Sequence, residues 1–227
     1  MQMSQLRPAY ACAAQYGVKM LAHGGPGSGK TPLVKTLPRP VLCATEPGLL
    51  SLRDWDGPVW EAYTPQAINE FFAWLKTPEA RNFDSVAIDS VSQMSEVFLA
   101  EALIKNKHGL KAYGEMAEAV MPLLRDLYYM QEKHIYLVAK QYASEEGGGL
   151  QKKRPYFPGK ELNVKIPHLY DEILCVGTFQ IPGVQGEQRA IRTLDSLTVS
   201  ARDRSGRLDE YEPFDLGALI TKCMTSA

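Results

Sequence analysis

Long apolar runs are missing from this chain of 227 residues. None reaches the roughly 20 residues that a bilayer-spanning helix needs, and the N-terminus lacks the apolar core of a signal peptide. No membrane partner is expected, and the reading is of a cytoplasmic protein. Cysteine is scarce. Cys12, Cys43, Cys175 and Cys223 are scattered and form no C-x-x-C pair, so neither a disulfide framework nor a cysteine zinc site is indicated. The four histidines are dispersed, without metal-ligand spacing. An excess of charge is also lacking: 25 Lys and Arg against 26 Asp and Glu leave a formal net charge of −1. No global field draws such a chain to nucleic acid, and any binding of that kind must come from local patches.

What the chain has is a glycine loop. Gly24-Gly25-Pro26-Gly27-Ser28-Gly29-Lys30-Thr31 fits G-x-x-x-x-G-K-[ST], the loop that wraps nucleotide phosphates. Glycines let backbone N–H groups converge on phosphate oxygens with no side chain in the way. Lys30 is expected to reach the β- and γ-phosphates of ATP, and the Thr31 hydroxyl to ligate Mg²⁺, which prefers hard oxygen ligands. Val18 to Ala22 before the loop reads as a buried strand, and Leu33 to Leu37 after it as the continuation of a helix. The helix N-terminus would add partial positive charge, and Pro32 is tolerated in a first helical turn.

Further elements follow in alternation. Strands are expected at Val41–Thr45, Val59–Tyr63, Ser85–Ile88 closing on Asp89, and His134–Ala139. Helices are expected at Pro65–Lys76, Gln93–Lys105 and Tyr113–Glu132, the last containing Pro122. This pattern implies an α/β fold, a mostly parallel central sheet with helices on both faces. Residues 142–167 read as a long loop. After it, Glu172–Gln180 and Arg189–Leu194 suggest an antiparallel C-terminal extension, and Asp215 a cap on a last helix over Leu216–Cys223. The whole chain reads as one domain, with a short N-terminal segment, 1–16.

Several polar residues sit at strand ends. Asp89 suits Mg²⁺, often held through water, or else the helix that follows is capped by Asp89 or Ser90. Glu46 is placed to activate the attacking water, or it is a turn residue before Pro47-Gly48. Gln141 can report the γ-phosphate, or it simply faces solvent. Arg202 and Arg204 are two cations two residues apart. They form an arginine finger acting on a neighbour's γ-phosphate, or a solvated turn; spacing alone favours the turn.

The ordered set Gly24–Thr31, Thr45-Glu46-Pro47-Gly48, Ile88-Asp89-Ser90, Lys140-Gln141, Leu169-Tyr170-Asp171-Glu172 and Ala201-Arg202-Asp203-Arg204 resembles phage-encoded RecA-like ATPases, especially the Sak-type single-strand annealing proteins. The resemblance implies a RecA-like P-loop core and an ATP-dependent protein that binds single-stranded DNA and assists phage recombination, in the host cytoplasm. It implies Glu46 as catalytic glutamate, Gln141 as phosphate sensor, and Arg202-Asp203-Arg204-Ser205-Gly206 as a variant of Lys-x-Arg-x-Gly acting across a subunit interface in a ring or filament. A single-stranded-DNA-binding protein is a further partner it suggests. The family's two DNA loops fall on residues 105–113 and 142–167. These carry Lys105, Lys107 and Lys111, then Lys152, Lys153 and Arg154 beside Tyr156 and Phe157, cations for phosphates and rings for stacking bases. Two other readings stay open: a P-loop kinase of a small molecule, and a nucleotide-gated DNA loader or scaffold with little turnover.

Overall fold

The computed structural model describes residues 6–13, 15–106 and 108–225. Strands run at Lys19–His23 (β1), Pro40–Ala44 (β2), Val59–Glu61 (β3), Ser85–Asp89 (β4), His134–Glu145 (β5), Gln151–Tyr156 (β6), Glu172–Gln180 (β7), Glu187–Arg192 (β8) and Tyr211–Glu212 (β9). Helices run at Ala9–Ala13 (α1), Pro65–Trp74 (α2), Val91–Lys105 (α3), Gly109–Tyr129 (α4), Lys160–Leu169 (α5) and Leu216–Met224 (α6). The sheet order is β3-β2-β4-β5-β1-β7-β8-β9, with β6 paired to β5. Strands β3 to β7 along this path are parallel, while β8, β9 and β6 join antiparallel. The α/β architecture with its antiparallel extension is as expected.

Side chains alternate across a strand, so each central strand feeds two cores. Leu21, Val41, Cys43, Ile88, Ile135 and Leu137 pack with residues of α2, α3, α4 and α5 on one face. Met20, Ala22, Leu42, Tyr136, Val138 and Leu174 pack on the other with Leu33, Val34 and the α6 residues Leu216, Leu219 and Ile220. Register then lines up the strand ends. Ala44 lies beside Asp89, Asp89 beside Val138, and His23 beside both Ala139 and Cys175. Everything that follows those positions emerges at one edge of the sheet, where α/β proteins gather their ligands.

Three expectations need correction. The helix after the glycine loop is only a 3-10 turn, Pro32–Thr36. Pro38 disfavours helical geometry at Leu37, which is extended. A turn this short has almost no macrodipole to offer an anion, unlike a full helix N-terminus. The first supposed DNA loop is mostly helical: α3 runs to Lys105 and α4 starts at Gly109, enclosing Lys111 and Tyr113. The second is a hairpin and a helix. β5 continues to Glu145, pairs residue by residue with β6, and α5 follows. Its polar alternation lacks the apolar run that marks a buried strand, because cross-strand hydrogen bonds rather than burial hold it.

Candidate functional site

The glycine loop leaves the carboxyl end of β1. Gly24 is pressed against β7, where a Cβ would come within 2.2 Å of the Val176 carbonyl oxygen. Gly29 has φ +99°, and a Cβ there would meet the Phe214 ring at 2.5 Å. Both positions therefore require glycine. Among the described residues, no backbone hydrogen bond uses the N–H groups of Gly27, Gly29, Lys30 or Thr31. These donors suit an anion. Pro26, Ser28 and Pro32 complete the loop and its exit. Lys30 Nζ donates to the Gly24 carbonyl at 2.6 Å, the Gly25 carbonyl at 3.0 Å and Ser28 Oγ at 3.3 Å. Tyr136, fully buried beneath, donates its hydroxyl to the Lys30 carbonyl at 3.0 Å.

The sheet brings Asp89 to the loop. Thr31 Oγ1 donates to Asp89 Oδ2 at 2.5 Å. Burial raises the Asp89 pKa above the ordinary carboxylate value; the Thr31 bond lowers it, Glu46 raises it further and Lys30 lowers it. Asp89 is not the helix cap. Ser90 holds that position, its Oγ accepting from the Gln93 N–H, which leaves the Asp89 carboxylate to the loop. Thr45 locks the ends of β2 and β4 together: its N–H donates to the Asp89 carbonyl, its hydroxyl donates to the Ser90 carbonyl, and Ser90 N–H donates back to it. Glu46 follows directly and accepts from Ser90 Oγ at 3.3 Å. Burial lowers the Lys30 pKa, while Asp89, Cys175 and Glu46 raise it. One cation, two carboxylates, a hydroxyl and bare N–H groups thus share a single sheet edge.

Gln141 lies inside β5 rather than at its end. Its Oε1 lies 3.1 Å from Nδ1 of the buried His23, which stands immediately before the loop. Sequence reasoning passed over His23, along with Tyr136. Only the adjacency of His23 to Gly24 signalled it.

Arg202 and Arg204 lie elsewhere. Arg202 donates to the carbonyls of Pro167, Tyr170 and Asp171 around the end of α5. Arg204 bonds Asp171 at 2.8 Å and the His168 carbonyl. Asp171 N–H bonds the Lys19 carbonyl at the amino end of β1, so this turn sits at the sheet edge opposite the chain's own loop. Glu172 anchors the turn by accepting from Ser205 N–H. Burial and then Asp203 push its pKa up to about 8. The folded state therefore keeps a proton that the unfolded chain releases, and this group costs stability as pH rises from about 4.5 towards 8. Glu172→Gln should gain on wild type across that window, with urea midpoints at pH 5 and pH 8 as the measurement.

The cations read as DNA contacts are mostly paired. Lys105 pairs with Glu101, Lys111 with Glu115, Lys152 with Asp195 and Arg154 with Glu146. Lys107 lies outside the described residues. Lys153 is exposed on β6, and Tyr156 packs edge-on against Tyr142. Phe157 is fully buried in the core with Leu162 and Ile166, where no base can stack on it. Phe157→Ala should lower stability by about 3–5 kcal/mol, read from a denaturant midpoint.

No group of three or more His, Cys, Asp or Glu is placed to hold a metal among the described residues. No described helix is long and apolar enough to cross a membrane. A KaiC-like protein of the hyperthermophilic archaeon Pyrococcus horikoshii is similar in structure, with TM-score 0.46 and 14% identity over 78% of this chain and 79% of that one. No curated protein is similar in sequence. The family model described as an AAA domain matches residues 16–205, the stretch that holds the glycine loop, Glu46, Asp89, Gln141 and the Arg202–Arg204 turn, and by that match the chain belongs to the AAA domain family.

Proposed function

We propose that this protein binds ATP with Mg²⁺ and hydrolyses it. The observation that carries the reading is the 2.5 Å bond from Thr31 to Asp89 at the mouth of a loop in which the N–H groups of Gly27, Gly29, Lys30 and Thr31 make no backbone hydrogen bond among the described residues. Mg²⁺ needs few protein ligands, because it keeps waters and takes phosphate oxygens. A hydroxyl backed by one buried carboxylate fits that demand. The bound ion would neutralise charge on the β- and γ-phosphates.

The residues divide the remaining work. Loop N–H groups hold the phosphates. Lys30 exchanges its loop carbonyls for phosphate oxygens. Glu46, tethered by Ser90, orients a water for attack on the γ-phosphorus and takes its proton. Gln141 faces the same edge and donates to the terminal phosphate. Arg204 is remote from its own loop, so its action on a phosphate requires a second copy of the chain. This supports a homo-oligomer with RecA-like use of the interface.

Single-stranded DNA is the partner we infer, and the phage recombination role goes with it. Support comes from the resemblance of the motif order and from Lys153 on the β5–β6 hairpin. The experiment is phosphate release at rising protein concentration, with and without single-stranded DNA. Rates per chain should rise with both. A rate flat against concentration removes the arginine finger, one flat against DNA removes the DNA partner, and no Mg²⁺-dependent release removes the whole reading.

A further inference from the structure

His23 is fully buried, and both of its ring nitrogens are engaged. Nε2 lies 2.7 Å from the Ser200 carbonyl oxygen, and Nδ1 lies 3.1 Å from Gln141 Oε1. Burial pushes its pKa down to about 4, against the opposing pull of the Ser200 carbonyl and of Gln141 Oε1 where it stands, with Lys30 and Lys153 adding repulsion; an amide turned to donate loses the upward pull of Oε1. The ring is therefore neutral near pH 7 and carries one proton. A carbonyl oxygen only accepts, so that proton sits on Nε2. Nδ1 is then a lone pair facing Oε1, two acceptors together, an arrangement that turning the amide over relieves: the Gln141 amide nitrogen then donates to Nδ1. One N–H of the amide is spent on His23, and the second is held in a fixed direction.

The other end of the ring is equally fixed. Ser200 belongs to a segment pinned on both sides: its N–H bonds the Lys153 carbonyl in β6, and Arg202 exchanges two backbone bonds with Ile173 in β7. The imidazole cannot turn without breaking a buried hydrogen bond, which is costly. A flexible glutamine is thereby converted into an oriented donor at the strand edge shared with Glu46 and Asp89.

We propose that His23 is a positioning residue that sets the orientation of the Gln141 amide for its contact with the terminal phosphate. This rests on the ATP-hydrolysis reading of the site. Two near-isosteres separate the two ends of the ring. An asparagine amide falls near the place of Nδ1 and a glutamine amide near that of Nε2. His23→Asn keeps an acceptor for Gln141 and loses Ser200. His23→Gln keeps the Ser200 bond and loses Gln141.

The test is steady-state ATP hydrolysis by both variants, by Gln141→Ala, and by the double variant His23→Gln/Gln141→Ala. His23→Asn should stay within about twofold of wild type. His23→Gln should lose about tenfold in kcat with KM nearly unchanged. In the Gln141→Ala background it should cost nothing more, because residues acting as a unit are not additive. Equal rates in the two His23 variants, or additive losses in the double variant, overturn the proposal. If Gln141→Ala is itself as fast as wild type, the role of Gln141 falls and this proposal with it. If Gln141→Ala is slow while His23→Gln is fast, this proposal alone falls. Should the His23 variants fail to fold, ¹⁵N shifts of the imidazole decide. A non-hydrolysable ATP analogue should move the Nδ1 signal in wild type and not in Gln141→Ala. An identical response in both proteins overturns the proposal.

Discussion

Lys30→Ala should lose ATP hydrolysis by about 10²–10³-fold, the scale on which one preorganised electrostatic contact acts in a water-poor site. In the structure Nζ rests on two carbonyls of its own loop, at 2.6 and 3.0 Å. Those are neutral acceptors. Phosphate oxygens are charged, and charge-assisted bonds are roughly twice as strong as neutral ones, so arrival of the nucleotide draws the ammonium off the loop. The charge on the transferred group spreads over its equatorial oxygens in the transition state, which is where Lys30 would stand. Loss of the side chain leaves loop carbonyls beside water and should cost the fold only about 1 kcal/mol. Phosphate release measured beside a denaturant midpoint separates the two effects. A folded variant at the wild-type rate would remove Lys30 from the mechanism.

Glu46→Gln should slow turnover by about 10²–10⁴-fold, the usual contribution of a positioned general base, while ATP affinity stays near that of wild type. The amide keeps the shape and can still accept from Ser90 Oγ, 3.3 Å away in wild type. It cannot take a proton from water. Asp89→Asn gives the contrast. Asp89 is bonded to Thr31 at 2.5 Å, so its loss should show as a higher Mg²⁺ requirement. Titration of Mg²⁺ at saturating ATP distinguishes the two carboxylates. If Glu46→Gln shifts the Mg²⁺ midpoint and leaves the maximal rate intact, the roles assigned to them are exchanged.

Much of the fold was legible because burial writes itself into the chain. β1, β2 and β4 are short apolar runs ended by Gly24, Thr45 and Ser90, and their faces alternate between two cores. β5 was legible only as far as Ala139, where burial stops; Gln141 lies beyond that point but still within the strand. Lys105 and Lys111 read as loop cations because Gly109 breaks the helical pattern, yet Gly109 opens α4.

The make-up of the glycine loop was determined by sequence alone. A phosphate cradle needs bare N–H groups, positive φ and one lysine within a few consecutive residues, and local order suffices to specify those. Tertiary structure decided everything that depends on partners distant in the chain. It brought Asp89 to Thr31, turned Phe157 inward, set Arg204 at the edge away from its own loop, and placed His23 against Gln141. The reason is geometric. Strand register determines which residues share an edge, and a shift of one position would send each side chain to the opposite face.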